Sequence, residues 1–200
     1  MVLRDLREQN AAYRPARGEK TKYRLADAMK ICMQQTPVAD ITVRQIVETC
    51  GLTRQTFYRN FRDKYDLINW YFDKLLAASF DQMGSGKNIL EGLTLKFRFI
   101  QSEALFFRAA FHYDEQNSLK EHDFKMIFAF YQDLIRRKTG RPPAERDSDI
   151  LEMYCQSQIY MTVKWVLSGM KQPPEELAHL MLEAMPPRIE TLFRELDLLA

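Results

Sequence analysis

A short predicted helix around residues 54–61 carries polar side chains that could form hydrogen bonds with nucleic acid. Phe57 and Phe61 fall at i and i+4 and therefore share its buried side. Arginine pairs with guanine, and glutamine or asparagine with adenine, through two hydrogen bonds in the major groove, whereas hydroxyl groups bind phosphate oxygens. The positions left for the outer side are Arg54, Gln55, Thr56, Tyr58, Arg59 and Asn60. This composition predicts contact with DNA.

Two capping signals and a glycine predict how this helix is positioned. Thr42 and Gln45 have the spacing of a capping box, which predicts a helix start at Val43. Gly51 is typical of the left-handed residue that ends a helix, and Thr53 is typical of the cap that starts the next one. Two short helices joined in this way predict a helix-turn-helix, although the same pattern also occurs in helical proteins that bind no nucleic acid.

Two further helices are expected to flank this motif. Apolar residues recur at helical spacing over residues 21–35 and predict a first helix, which Pro37 closes. Asp63 is placed to cap a fourth helix over residues 64–83, which Gly84-Ser85-Gly86 would end.

The charge of the chain is unevenly distributed. Residues 1–64 hold 13 Lys and Arg against 7 Asp and Glu, a net charge of +6. Residues 65–200 hold 16 against 20, a net charge of −4. Because phosphate neutralisation supplies much of the affinity of DNA-binding domains, the basic segment is expected to be the one that binds DNA.

The run from Gly51 to Leu67 resembles the signature of the TetR family of bacterial transcriptional regulators. The residues that carry the resemblance are Gly51, Thr53, the Thr56-Phe57-Tyr58 triplet, Phe61, Lys64 and Leu67. It implies an all-α homodimer in which an N-terminal three-helix helix-turn-helix domain is joined by a linking helix to a helical ligand-binding and dimerisation domain. Most such proteins are repressors that a small effector releases from DNA.

The same resemblance implies individual DNA contacts. The base-contacting residues it implies are Arg44, Arg54, Gln55 and Thr56. The phosphate-contacting residues it implies are Thr42, Thr53, Tyr58, Asn60 and Lys64. For Lys64 alone, a helix start with an incidental lysine is an equally good interpretation. A homodimer would bind a palindromic double-stranded site with half-sites about 34–36 Å apart. Two copies are expected because one helix-turn-helix domain contacts too few base pairs for adequate sequence specificity.

We expect three segments along the chain. Residues 1–19 form a flexible basic arm, residues 20–66 the helix-turn-helix DNA-binding domain, and residues 67–200 the helical regulatory and dimerisation domain. The arm is either a simple tail or a segment that enters the minor groove, where arginine is favoured. Apolar segments at about 89–100, 103–111 and 119–138 predict further helices.

Aromatic residues are concentrated in the middle of the chain, with ten of them between residues 97 and 131. In a ligand-regulated protein they would line an apolar pocket for a small apolar or aromatic effector, with Gln101, His112 or Tyr113 orienting it. An aromatic stripe at helical spacing is, however, more often plain core. The candidate pocket residues are Phe97, Gln101, Phe107, Phe111, His112, Phe128 and Tyr131.

Apolar stripes also predict the C-terminal helices, of which the last is interrupted at Pro186-Pro187. In the TetR family the last two long helices pack against their copies in a partner subunit. The dimer-interface residues expected on this basis are Leu151, Cys155, Ile159, Val163, Leu177, Met181, Ile189 and Leu192. The alternative is that both stripes face their own core, which would leave a monomer.

A second functional hypothesis is a protein-interaction module. The aromatic-rich domain and residues 165–182 are similar to a TetR-like subgroup, one member of which is a co-activator that responds through a partner protein associated with dihydroxyacetone kinase genes. In that case the aromatic residues are solid core and the signal arrives by protein contact.

Other functional classes have little support in the sequence. It contains no nucleophile elbow, phosphate-binding glycine loop or metal-ligand cluster, so we expect neither enzymatic activity nor a cofactor or metal. Cys32, Cys50 and Cys155 are widely spaced, as expected of reduced thiols. No apolar run approaches the roughly 20 residues that cross a bilayer, and the first 20 residues do not resemble a signal peptide. A cytoplasmic protein without a membrane partner is expected.

Overall fold

A computed structural model describes residues 18–84, 88–112 and 118–199 of the chain. Within these ranges the regular elements are α-helices, and no β-strand occurs among them, which confirms the predicted all-α fold. The predicted arm up to residue 17, the Ser85-Gly86 break and Tyr113 lie outside the described residues. The described helices are α1 (Lys20–Met33), α2 (Val43–Thr49), α3 (Arg54–Tyr58), α4 (Lys64–Gly84), α5 (Ile89–Ser102), α6 (Ala104–His112), α7 (Leu119–Thr139), α8 (Glu145–Leu167), α9 (Pro174–Glu183) and α10 (Pro187–Glu195).

The described chain divides into two compact units. The first contains residues 18–73 together with 102–112, and the second contains residues 74–84, 88–101 and 118–199. The helix-turn-helix elements α1 to α3 therefore belong to the first unit, with the first half of α4 and with α6. Helices α7 to α10 and nearly all of α5 belong to the second.

The core of the first unit forms because the apolar faces of its helices meet. Leu25 and Met29 of α1 are buried, as are Ile46 of α2 and Phe57 of α3. Periodic apolar side chains on short helices stabilise the fold only when another element covers them, so these three helices depend on one another.

Helix α6 joins this core through aromatic and polar contacts. Phe106 lies 5.0 Å from Tyr71 of α4, and Phe107 lies 5.7 Å from Phe72, measured between ring centroids. Before α6, the buried Glu103 carboxylate accepts hydrogen bonds from the Tyr71 hydroxyl at 3.0 Å and from the Lys30 ammonium at 3.4 Å. These contacts place α6 with the helix-turn-helix although about 70 residues separate it from α1 in sequence.

The second unit packs its helices around a largely apolar interior that also contains the buried ion pair of Lys96 and Asp123. The Phe97 and Trp165 rings lie 5.7 Å apart and join α5 to α8. The Tyr154 hydroxyl donates a 2.6 Å hydrogen bond to the carbonyl of Met181 and so joins α8 to α9. The predicted interruption at Pro186-Pro187 is confirmed, since α9 ends at Glu183 and α10 begins at Pro187.

Candidate nucleic-acid interface

Helix α2 begins with the predicted capping box. The Thr42 hydroxyl accepts a hydrogen bond from the Gln45 backbone N–H at 3.2 Å, and the Gln45 side chain accepts one from the Thr42 N–H at 2.7 Å. The Thr42 hydroxyl also donates to the Gln45 side-chain oxygen at 2.9 Å. Two backbone donors at the helix start are thus satisfied, and the position of α2 in the chain is fixed locally.

The turn after α2 has the geometry of a Schellman motif. Gly51 has a φ of +63°, and its N–H donates to the Glu48 carbonyl at 3.3 Å. The Leu52 N–H donates to the Val47 carbonyl at 2.9 Å. This pair of bonds satisfies carbonyls at the end of α2 and reverses the chain over two residues, which brings Thr53 to the start of α3.

Two threonines fix the start of α3. The Thr53 hydroxyl accepts a hydrogen bond from the Thr56 N–H at 3.1 Å and lies 2.9 Å from the Thr56 hydroxyl. The Asn60 side-chain amide donates to the Thr56 carbonyl at 2.8 Å. Only one hydroxyl hydrogen is used between Thr53 and Thr56, so the other remains available to an acceptor such as a phosphate oxygen.

Aromatic rings hold α3 against the neighbouring helices. Phe57 and Phe61 are buried, with ring centroids 5.9 Å apart. Phe61 lies 5.6 Å from Trp70 of α4, and Trp70 lies 5.0 Å from Tyr23 of α1. The Lys22 ammonium lies 5.1 Å from the centre of the Phe61 ring. Packing of these four aromatic side chains, of which Tyr23, Phe57 and Phe61 are buried and Trp70 is half-buried, restricts how α3 can move.

The outer face of α3 keeps its polar groups accessible. Arg54, Gln55, Tyr58 and Arg59 are exposed, and Tyr58 is 59% exposed although it is a large aromatic residue. None of these four side chains forms a hydrogen bond or ion pair with a residue that the structure describes. We call these four residues the α3 face. A rigid helix with accessible guanidinium, amide and phenol groups is suited to hydrogen bonding with a large polar ligand.

Arg44, another predicted base contact, is engaged within its own helix. Its guanidinium donates a 2.7 Å hydrogen bond to the Glu48 carboxylate one turn later, and both side chains are exposed. This hydrogen bond raises the pKa of Arg44 above its ordinary value. Because the pair is exposed, Arg44 can exchange Glu48 for another anion at little cost.

Lys64 is committed to the protein backbone. Its ammonium donates to the carbonyls of Ala39 and Ile41, the latter at 2.9 Å, and burial lowers the pKa of Lys64. The Asp63 carboxylate accepts hydrogen bonds from the N–H groups of Tyr65 and Asp66, so it caps α4 as predicted. In this conformation Lys64 fastens the segment before α2 to the start of α4.

Arg24 helps to position α3, although the sequence did not predict this role. The Arg24 guanidinium on α1 donates a 2.8 Å hydrogen bond to the Cys50 carbonyl at the end of α2. This bond satisfies a carbonyl at a helix end and ties α1 to the turn before α3. The two residues are 26 positions apart, so no local pattern could have paired them.

The candidate pocket residues are divided between the two units. Phe107, Phe111 and His112 belong to the first unit, whereas Phe97, Gln101, Phe128 and Tyr131 belong to the second. Phe97, Phe107, Phe111 and Tyr131 are each 0–1% exposed, Phe128 is half-buried, and Gln101 and His112 face solvent.

The residues predicted for the dimer interface face the interior of their own unit. Seven are buried and Leu192 is half-buried: Leu151, Cys155, Ile159, Val163, Leu177, Met181, Ile189 and Leu192. Other large apolar side chains are exposed on the same helices. Met153, Tyr160 and Leu167 recur every seven residues along α8 and are 66%, 67% and 43% exposed, and Leu180 of α9 is 38% exposed. Seven-residue spacing is typical of a helix face that packs against another helix.

Residues able to bind a metal ion do not cluster in the described ranges, where no three or more His, Cys, Asp or Glu side chains form a suitable group. All three cysteines are free thiols. No helix within those ranges is long and apolar enough to span a bilayer.

The capped pair of short helices, the glycine turn and the polar α3 face together define a helix-turn-helix regulator. The model of the family described as bacterial regulatory proteins of the tetR family matches residues 25–70. A second model, described as a transcriptional regulator C-terminal region of the TetR type, matches residues 87–186, which is half of the chain. The chain belongs to the TetR family of transcriptional regulators, and the resemblance drawn from Gly51 to Leu67 is confirmed.

Sequence identity to an individual relative is low. The HTH-type dhaKLM operon transcriptional activator DhaS of Lactococcus lactis subsp. lactis (strain IL1403) is 28% identical over 91 residues. That match covers 46% of this chain and spans about half, 49%, of the relative's length. This level of similarity does not transfer the function of this one relative to the chain.

Solved structures share the fold. The dihydroxyacetone kinase operon activator DhaS superposes with a TM-score of 0.59 at 18% identity, covering 86% of this chain and 97% of that one. The fatty acid degradation regulator FadR from Bacillus halodurans gives a TM-score of 0.59 at 16% identity, covering 85% and 96%. The TetR family repressor AlkX from Dietzia sp. strain DQ12-45-1b gives a TM-score of 0.53 at 15% identity, covering 85% of this chain and 95% of that one. At these identities the similarity extends to the fold and no further.

Proposed function

We propose that this regulator is a homodimer that binds palindromic double-stranded DNA, represses transcription and is released by a small effector. The observation that carries the proposal is the α3 face, whose polar groups are accessible on a helix fixed by buried aromatic rings. A recognition helix must combine these properties, since base contacts need free hydrogen-bonding groups and a defined orientation.

The roles proposed for individual residues follow from their exposure and their partners. Arg54 and Gln55 contact base edges, because both side chains are exposed at the start of α3. Arg44 joins them by exchanging Glu48 for DNA. Thr56 either contacts a base or shares a phosphate with Thr53, since the two hydroxyls are 2.9 Å apart.

Other side chains of the helix-turn-helix are proposed to contact phosphates rather than bases. The Tyr58 hydroxyl and the Asn60 amide can each donate to a phosphate oxygen. Thr42 and Lys64 contribute only if DNA displaces their present acceptors, which are the Gln45 side chain and the carbonyls of Ala39 and Ile41. We therefore expect their direct share in DNA affinity to be smaller than that of Tyr58.

We place the proposed dimer interface on the exposed stripe Met153, Tyr160 and Leu167 of α8, together with Leu180 of α9. The eight residues expected from the sequence are occupied within their own unit, whereas this stripe leaves apolar surface in water. Association of two copies through the same stripe would bury that surface and give a two-fold symmetric dimer, as a palindromic site requires.

The test is a titration of the purified full chain against labelled duplex DNA from upstream of its own gene, with an unrelated duplex as competitor. Saturable binding that the competitor does not displace, with a footprint of two symmetric half-sites, is the expected result. Binding that the unrelated duplex displaces equally well would contradict sequence-specific regulation. A transcription assay on the same fragment then decides between repression and activation.

A second candidate is a co-regulator that receives its signal from a protein partner. It is favoured by the similarity to DhaS, which is named as a transcriptional activator of an operon. Complete burial of Phe107, Phe111 and Tyr131 also agrees with an aromatic core rather than an open pocket. The two candidates differ in one measurable property: a small effector alone changes the operator affinity of the first, whereas the second responds only when a partner protein is added.

A further inference from the structure

Two exposed apolar side chains of the first unit have no part in the proposed DNA binding or dimerisation. The large apolar side chains exposed among the described residues are Ile31, Tyr58, Leu105, Met153, Tyr160, Leu167 and Leu180. Tyr58 belongs to the α3 face, and the last four belong to the proposed dimer interface. Ile31 on α1 and Leu105 on α6 remain, and they are 51% and 44% exposed. Apolar side chains of this size favour contact with another segment over contact with water.

Both side chains line the same groove between α1 and α6. The groove has a volume of about 420 Å³, and the residues that line it belong to the first unit. Its α1 wall includes Asp27, Ile31 and Gln34, and its α6 wall includes Leu105 and Phe106. Such a groove can hold a few side chains of one segment. It offers much less contact than the roughly 800 Å² per partner of a stable protein–protein interface.

The accessible charge of the groove is negative. The Lys30 ammonium lies 3.4 Å from the Glu103 carboxylate and 3.2 Å from the Asp27 carboxylate, and the Lys30 side chain is only 15% exposed. The Asp27 side chain is 49% exposed, so its carboxylate can accept a further cation. Because the lining residues include two acids and one base, the groove repels phosphate groups and favours a basic segment.

The chain contains a segment of matching chemistry in residues 1–17, which lie outside the described residues. This segment holds four arginines against one aspartate and one glutamate, a net charge of +2. The run from Val2 to Arg7 combines three aliphatic residues with two arginines and one aspartate. It therefore offers apolar side chains to Ile31 and Leu105 and a cation to Asp27.

The segment is long enough to reach the groove of its own chain. Gly18 and Ile31 are 13 residues apart, which corresponds to about 20 Å along a helix. Arg7 and Gly18 are 11 residues apart, a stretch that spans up to about 36 Å when extended. Covalent linkage also gives the segment an effective concentration in the millimolar range. A small contact area is therefore sufficient for this segment, although it would not hold a separate protein.

We propose that the groove between α1 and α6 binds the N-terminal segment of its own chain. The leucines of the run from Val2 to Arg7 contact Ile31 and Leu105, and one of its arginines pairs with Asp27. This interaction surface is separate from the α3 face, and its test needs no operator. Its failure would therefore leave the proposed function untouched.

Photo-crosslinking in the full chain tests the contact directly. p-Benzoylphenylalanine in place of Leu3 forms a bond with C–H groups of neighbouring side chains on illumination, and peptide mass spectrometry locates the attachment. The same amino acid in place of Ala12 provides the matched control, because that position lies outside the apolar run. The expected product has the mass of one chain and joins position 3 to residues 27–34 or 102–106. Position 12 should give much less of it.

Variants of the groove separate docking from chance proximity. Leu105→Ser removes apolar surface and should lower the crosslink yield at least about threefold. Leu105→Met keeps the surface apolar and should retain the yield. Asp27→Asn should lower the yield about twofold, as expected for one exposed ion pair. Leu105 is exposed and Asp27 is half exposed, so these variants should fold normally, which circular dichroism checks.

Three outcomes would overturn the proposal. A groove product with the mass of two chains would mean that the segment of a second copy is the occupant. Equal yields from Leu105→Ser and Leu105→Met would mean that the apolar surface of the groove does not bind the segment. Attachment of position 3 only to residues outside the groove, or no attachment, would mean that the segment does not occupy it.

Discussion

Arg44 and Glu48 form an exposed ion pair one helical turn apart on α2, with a 2.7 Å hydrogen bond from the guanidinium to the carboxylate. Arg44 is one of the proposed base contacts, so Glu48 is expected to oppose DNA binding in two ways. Its carboxylate repels phosphates, and it holds a guanidinium that would otherwise contact DNA.

Replacement of Glu48 by glutamine should therefore tighten DNA binding. We expect the dissociation constant of Glu48→Gln to fall about twofold to fivefold at low salt, and less at high salt because exposed charges are screened. Fluorescence anisotropy with a labelled operator measures the change. Glu183→Gln removes the same charge from an exposed position of α9 and should leave the affinity unaltered. An equal gain in both variants would mean that net charge alone is responsible.

The glycine between α2 and α3 should be required for its backbone conformation. A Cβ on Gly51 would meet no atom within 4 Å, but its φ of +63° is unfavourable for an L-residue. Gly51→Ala is expected to lower the free energy of unfolding by about 1–2 kcal/mol. Gly18→Ala provides the control, because a Cβ there also meets nothing within 4 Å and φ is not in the left-handed range. Urea unfolding of the two variants should separate them, and equal stabilities would contradict the role given to the turn.

Local sequence signals were sufficient for the helix-turn-helix because its contacts are local. Thr42 with Gln45, Gly51 and Asp63 each act within a few residues, and the structure places the start and end of α2 and the start of α4 where they were predicted. The end of the next helix was predicted less well, because α3 ends at Tyr58 and Phe61 lies beyond it. The role of Lys64 was less accessible, since its acceptors lie 23 and 25 residues earlier.

Long-range arrangement could not be derived in the same way. Periodicity identified α8 as a helix, but two of its faces are apolar: one contains Leu151 and Ile159, the other Met153 and Tyr160. The pattern cannot decide which face is covered by the same chain, and the structure buries the first. Likewise, the packing of α6 with the first unit depends on Glu103 meeting Lys30, 73 residues away.

The two faces of α8 give a direct test of the dimer interface. Tyr160→Glu places a charge in the proposed contact and should weaken the dimer about 100-fold or more, since an unpaired buried charge costs several kcal/mol. Ala129→Glu adds the same charge at an exposed position of α7 and should remain dimeric. Sedimentation velocity over a range of concentrations distinguishes the two. A dimer unaffected by Tyr160→Glu would exclude this face.

The thiols should differ in reactivity according to burial. Cys155 is 0% exposed, and burial raises its pKa to about 12, whereas Cys32 and Cys50 are half-buried. The thiolate is the reactive form, so at pH 8 Cys155 should be nearly inert. Titration with a thiol reagent is expected to detect two reactive groups in the native protein and a third after unfolding in guanidinium. Three rapidly reacting thiols in the native state would show that the interior of the second unit is open to solvent.

The central claim is that the α3 face binds DNA. Its most direct test compares the operator affinity of the wild type with that of the double variant Arg54→Ala, Tyr58→Ala at two salt concentrations. Both side chains are exposed, so the double variant should fold normally, which circular dichroism checks. Arg98→Ala, which removes one exposed arginine from the second unit, provides the control. We predict at least a tenfold loss of affinity for the first variant, a smaller dependence on salt, and no change for the control. Wild-type affinity in the folded Arg54→Ala, Tyr58→Ala protein would contradict the account.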